Sequence, residues 1–139
     1  MAELTRRRDA TENLEQWSIF DGAVRVGIMR KVGGTEGADV WQWSCGLRAL
    51  PRQPSGTAGT FDEARDAFQK AWEEIGPQIT PEMRTEWLEQ EAFTAWKYAM
   101  HDAGCRMPTQ STTGRSRCFC GDEITTAGVM DHIRAAHMP

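Results

Sequence analysis

A concentration of positive charge is missing from this chain. Sixteen Lys and Arg face twenty Asp and Glu, a net charge of −4, and no segment has the basic excess expected of a nucleic-acid-binding domain. Residues 61–93 lean the other way, with three basic side chains against nine carboxylates, net −6. No apolar run approaches the roughly 18 residues of a membrane helix, and no leader with an apolar centre is present. The expectation is a chain that neither spans nor crosses a membrane and works in the cytoplasm. Phosphate loop, paired-His metalloprotease helix and dinucleotide fingerprint are all absent, so no catalytic residue is nominated and a non-enzymatic protein is expected. Tyrosine occurs once, histidine three times and cysteine four times. A cluster of the last two types is therefore informative, and metal-like cysteine spacing favours a reducing compartment.

Six tryptophans indicate an aromatic core. Residues 1–16 lack an apolar period, carry Arg6, Arg7 and Arg8, and read as a flexible, solvated tail. Trp17 to Phe20, Asp21-Gly22 and Ala23 to Lys31 read as two strands joined by a tight turn. Val24, Val26 and Ile28 alternate with Arg25 and Gly27, so one face is apolar. Gly33, Gly34 and Gly37 supply a longer turn. Val40 to Leu47 gives a third strand with Trp41, Trp43 and Cys45 on one face. After the Pro/Ser/Gly loop of residues 50–59, Thr60 and Glu63 form a capping box. Phe61, Ala64, Ala67, Phe68, Ala71, Trp72 and Ile75 then keep helical spacing. The fold class is α+β: in residues 17–76 a three-stranded antiparallel sheet packed by a helix, then a long second helix over 80–104. Residues 107–116, with Pro108 and a Ser/Thr/Gly run, read as a flexible linker carrying a separate module, residues 117–139.

The long helix has Met83, Trp87, Leu88, Ala92, Ala95, Trp96, Ala99 and Ala103 on one side. At about 35 Å it outreaches a short sheet, so self-association through Trp87 and Trp96 and packing within the chain are both open. His101 and Cys105 stand one turn apart, a spacing that suits a nucleophile pair. Gly104 interrupts that turn, however, and no orienting group or oxyanion loop follows. Cys45 and Cys105, each isolated, read as small buried apolar residues.

Chemistry concentrates at the C-terminal end. Cys118-Phe119-Cys120-Gly121 is followed, eleven residues on, by His132 and then by His137. Two thiols and two imidazoles in this order form the tetrahedral ligand set that zinc prefers. Residues i and i+2 of an extended segment share a side, so Cys118 and Cys120 face one ion while Phe119 turns away. Thr125 or Thr126 can cap a helix bearing both histidines, with Ala127, Val129, Met130, Ile133 and Ala136 on its apolar side and Ile124 and Val129 as a small core. Residues 118–137 resemble a C2H2-type zinc finger, departing from it in the Cys-x-Cys spacing and in an eleven-residue gap where twelve is usual. By that resemblance the base-reading positions are Thr125, Ala127, Gly128 and Asp131. None is a side chain that pairs two-pronged with a purine edge.

A second resemblance rests on Trp17-x-Ile19, Asp21-Gly22, Trp41-x-Trp43 and Gly59-Thr60-x-x-Glu63-Ala64-x-x-x-Phe68-x-x-x-Trp72. From Trp17 to Glu74 the chain is similar to a group of small uncharacterised proteins common in alphaproteobacteria. The resemblance implies a bacterial or bacteriophage source and brings no activity with it.

Three functional expectations follow. The first is a protein-interaction (adaptor or regulatory) protein with a structural zinc ion and a protein partner. The second is a nucleic-acid-binding regulator using Arg6, Arg7, Arg8, Arg115, Arg117 and Arg134 on phosphates. The third is an inhibitor whose Asp62, Glu63, Glu73, Glu74, Glu86 and Glu89 occupy a basic groove meant for nucleic acid.

Overall fold

A computed structural model of the chain describes residues 3–11, 14–33 and 39–138. It divides into two units, Met1–Arg84 and Thr85–Pro139, and is α+β.

The first unit holds a five-stranded antiparallel meander: β1 (Thr5–Arg8), β2 (Gln16–Asp21), β3 (Val24–Gly33), β4 (Asp39–Cys45) and β5 (Ser55–Ala58), in that spatial order. Helix α1 (Phe61–Ile75) packs on β4 and β5. Five strands replace the three expected. β5 lies in the segment read as loop, because Ser, Gly and Thr give no apolar alternation there, yet its backbone pairs with β4 from Trp41↔Ala58 to Ser44↔Ser55. β1 lies in the segment read as a flexible tail. All four of its residues are exposed, so hydrophobic patterning was silent. The strand is instead held by register with β2 and by cation–π contacts. The Arg6 guanidinium sits 4.8 Å from the Trp17 ring centroid and 4.7 Å from that of Phe61, and Arg7 sits 4.8 Å from Phe20. Such contacts contribute about 0.5–1 kcal/mol each at exposed sites. Asp9, just past the strand, accepts from Gln16 Nε2 at 2.6 Å and from Ser18 Oγ at 2.9 Å.

The β2–β3 turn forms at Gly22-Ala23, with Gly22 at φ +64°. The longer turn expected at Gly34 and Gly37 lies outside the described residues. In β3 the inward face is not the one simple alternation gives. Ile19 pairs with Gly27 and Phe20 with Arg25, so Val26 is an extra residue and the phase slips. Val24, Val26 and Met29 are buried, while Ile28 is only half-buried. Gly27 is the seat for Phe68: a Cβ there would lie 2.3 Å from Phe68 Cε2 and 2.3 Å from the Ser44 carbonyl oxygen.

On β4, Trp41 and Cys45 are buried as alternation requires. The Trp41 ring meets Phe61 edge-on at 5.1 Å, and Trp43 meets Phe68 edge-on at 6.4 Å. Thr60 caps α1 by accepting from the Glu63 N–H at 3.2 Å, and Ala64, Phe68, Ala71, Trp72 and Ile75 are its buried side. Helix α2 (Pro81–Asp102) begins with Thr80 accepting from the Met83 N–H at 3.1 Å. In its first turn Arg84 pairs with the buried Asp21 carboxylate.

The second unit contains the rest of α2, the hairpin β6 (Arg115–Arg117) and β7 (Glu123–Thr125), and helix α3 (Val129–Ala136). Its core is Trp96, Met100, Cys118, Ile124 and Ile133, with Phe93, Met107, Val129 and Met130 packed around it. Within the segment expected to be a flexible linker, residues 107–116, Pro108–Gln110 forms a 3-10 turn, Pro108 is buried, and β6 starts at Arg115. Trp96 and Met100, placed on α2, supply the floor for the hairpin and α3. Few of the module's own residues are large and apolar, so it borrows a core from the preceding helix.

Candidate metal centre

Cys118 follows β6, and the chain turns back at once. The Cys118 N–H donates to the Asp122 carbonyl at 2.8 Å and the Gly121 N–H to the Cys118 carbonyl at 2.9 Å. Gly121 adopts φ +100°, open to glycine at little cost. Before α3, Thr125 Oγ1 accepts from the Gly128 N–H at 3.1 Å. Thr125 thus belongs to β7 and organises the turn, while Gly128 occupies the cap position without a side-chain bond.

His132 and His137 are five residues apart. Along an unbroken α-helix that spacing leaves two side chains about 140° apart. Here the helix ends at Ala136, and His137 leaves it at φ −129°, ψ 6°. The two Nε2 atoms consequently meet at 3.2 Å.

Cys118 Sγ lies 3.4 Å from His137 Nε2, and Cys120 Sγ lies 3.5 Å from His132 Nε2. All four donor atoms fall within 4.8 Å of one another. A tetrahedral ion with metal–nitrogen bonds of about 2.05 Å and metal–sulfur bonds of about 2.3 Å needs edges of about 3.3 Å between nitrogens and about 3.6 Å between nitrogen and sulfur. Three of the six edges, 3.2, 3.4 and 3.5 Å, come within about 0.2 Å of these values. Cys118, Cys120, His132 and His137 lie close enough to bind a metal ion.

The surroundings are consistent with that use. Asp122 Oδ2 stands 3.8 Å from His132 Nδ1, on the side away from the cluster. A carboxylate there favours the tautomer that leaves Nε2 free to ligate. The Trp96 indole N–H donates to Cys118 Sγ at 3.3 Å. Phe119, expected to turn away, lies against His137, ring centroids 4.9 Å apart, and is 42% exposed. Ile124 and Ile133 close the floor. Sequence patterning marks Ile124; it gives no sign of Asp122, and it leaves Trp96 open between self-association and packing within the chain.

Burial, and after it the charge of His132, holds the His137 imidazole below its ordinary pKa. The Asp122 backbone N–H draws the Cys120 thiol down, but desolvation and the neighbouring Cys118 outweigh it and the net shift is upward. In the metal-free chain these shifts bound a pH window. Below about 6.5 the unfolded chain takes up a proton that folded His137 resists, so stability falls as pH drops. A thiol raised in the folded state contributes stability that is complete below its unfolded pKa and lost as pH rises through the folded value. With metal bound, two thiol protons must leave per ion. Apparent affinity is then expected to fall about a hundredfold per pH unit between pH 8 and 7, measurable by competition with a chromophoric chelator. A pH-independent affinity would exclude the thiols as ligands.

The remaining candidate residues have other occupations. Trp96 is 2% exposed within the core of its own unit, which removes it from a self-association surface; Trp87 is half-buried. Arg6 and Arg7 lie on aromatic rings, and Arg8 pairs with Trp17 in the β1–β2 ladder. Arg115 pairs with Glu123 at 3.7 Å, and Arg117 donates to the Gly121 carbonyl at 2.9 Å. Arg134 grips Glu89 with a fork, at 2.7 and 3.3 Å, and also meets Asp131 at 3.1 Å. Those contacts hold Glu89 below the usual carboxylate range. Of the other acidic residues, Asp62 pairs with Arg65 at 3.7 Å.

Cys45 is buried, which pushes its thiol up to about 12, so it is inert packing. Cys105 packs beside the Trp96 cluster. His101 is exposed. No helix among the described residues is long and apolar enough to cross a membrane. No family model, curated protein or solved structure matches the chain, so the metal-binding geometry stands on its own residues.

Proposed function

We propose that this is a non-enzymatic protein-interaction protein in which a zinc ion, held by Cys118, Cys120, His132 and His137, fixes the Thr85–Pro139 unit as a binding module for another protein. The observation that carries this reading is the convergence of two thiols and two imidazoles whose donor atoms all lie within 4.8 Å of one another, with edges of 3.2, 3.4 and 3.5 Å. Two sulfurs and two imidazole nitrogens suit zinc over harder cations. Four protein ligands complete its shell and leave no place for a reacting water, the arrangement of structural rather than catalytic sites.

A phosphate-binding role has less support. Arg115, Arg117 and Arg134 are engaged by Glu123, the Gly121 carbonyl and Glu89, and the exposed positions Thr125 and Ala127 offer no base-pairing fork. Titration of the zinc-loaded full chain with duplex DNA tests the choice. Binding is expected to be absent at about 50 mM salt. Tight binding that weakens about a thousandfold by about 200 mM salt would favour the nucleic-acid reading instead.

A further inference from the structure

The two thiols of the centre are not equivalent. Cys118 is 2% exposed and sits in the Trp96–Ile133 core, whereas Cys120 is exposed. A side-chain donor reaches Cys118 from 22 residues upstream, the Trp96 indole N–H at 3.3 Å. That N–H is itself buried, so it requires an acceptor, and the sulfur is the acceptor it has. An N–H bond to sulfur is stronger when the sulfur is anionic, which is its state when bound to a metal.

We propose that Trp96 is a positioning residue of the metal centre, its indole N–H holding the Cys118 thiolate in the ligand set so that Cys118 is the firm anchor and Cys120 the labile one. The proposal rests on the reading of this centre as a zinc site. Its physical basis is that the donor sits on a two-turn stretch of α2 already fixed by Met100 and the Phe93 ring, stacked at 6.1 Å. Ligands supported by a rigid neighbour lose less freedom on binding. Cys120, at the exposed edge, receives the Asp122 backbone N–H but no buried side-chain donor from α2 among the described residues. A competing ligand or electrophile therefore enters on the Cys120 side, and the ion leaves that sulfur first.

The test uses the full chain with cobalt(II) as a spectroscopic probe, zinc by competition, and Trp96→Phe, which keeps a packed ring and deletes the N–H. The substitution is expected to weaken zinc binding by about tenfold or more and to shift the sulfur-to-cobalt charge-transfer band. In zinc-loaded protein, iodoacetamide should modify Cys120 well before Cys118, and the substitution should bring the two rates together. Unchanged affinity and unchanged order of alkylation would overturn the proposal. Should the variant fail to fold, the wild-type chain loaded with an NMR-active cadmium isotope decides. Scalar coupling between the metal and the Trp96 indole proton supports the proposal, and its absence overturns it. Wild-type protein that binds cobalt with sulfur and nitrogen ligands but lacks that coupling removes the role of Trp96 alone. Wild-type protein that takes up no metal removes the zinc reading and this proposal together.

Discussion

Stripping the metal with a tight chelator, or replacing Cys118 by Ser, is expected to unfold the hairpin and α3 while leaving the first unit intact. The reason is the size of the core. Trp96, Met100, Cys118, Ile124 and Ile133 are the buried residues of the second unit's cluster, and a single core in so short a unit rarely supplies more than about 3–5 kcal/mol. Structural zinc in comparable peptides contributes about 10–16 kcal/mol of apparent binding free energy, most of it coupled to folding. Amide exchange followed by NMR should therefore show protection at Ile124 and Ile133 collapsing on chelation, with Val26 and Met29 unaffected. Slow exchange persisting at Ile124 and Ile133 in metal-free protein would mean the apolar cluster suffices by itself.

Phe68→Asp is expected to unfold the first unit at room temperature. Phe68 is 3% exposed, seated on Gly27 and edge-on to Trp43. Loss of a buried phenylalanine costs about 3–5 kcal/mol, and an unpaired buried carboxylate adds to that. The sum is comparable to the whole stability of a domain, about 5–15 kcal/mol. The milder Phe68→Ala should stay folded but melt at least about 15 °C lower. A calorimetric transition for Phe68→Asp that coincides with wild type would place Phe68 outside the core.

The parts of this fold legible in the sequence are those encoded by period and by local turn chemistry. Trp41 and Cys45 alternate correctly on β4, Ala64, Phe68, Trp72 and Ile75 repeat at helical spacing on α1, and Thr60 announces the helix start. Features encoded by pairing rather than by polarity were not legible. β1 is a row of exposed polar residues whose aromatic partners, Trp17, Phe20 and Phe61, lie outside the strand and are distant in sequence. β5 is Ser-Gly-Thr-Ala and acquires strand character from β4 alone. The extra residue at Val26 moves the inward face from Ile28 to Met29, and single-residue slips of this kind leave no mark in hydrophobicity.

The Cys–His cluster was legible for a different reason. Cys and His are scarce in this chain, and four of the seven gather within residues 118–137. Scarce residue types gathered at short spacing are visible whatever path the backbone takes. The support around the ligands was hidden because it arrives from α2: Trp96 carried an apolar helix stripe that fits equally a surface for a second copy or a buried floor. Tertiary packing alone separates those roles, and it places the indole N–H on Cys118 Sγ. The same packing buries Pro108, in the segment expected to be a tether.

X-ray absorption at the zinc edge, on protein purified without added chelator, tests the central claim most directly. The account predicts one zinc environment with two sulfurs at about 2.3 Å and two imidazole nitrogens at about 2.0–2.1 Å. A spectrum without zinc, or a shell of oxygens without sulfur, would contradict it.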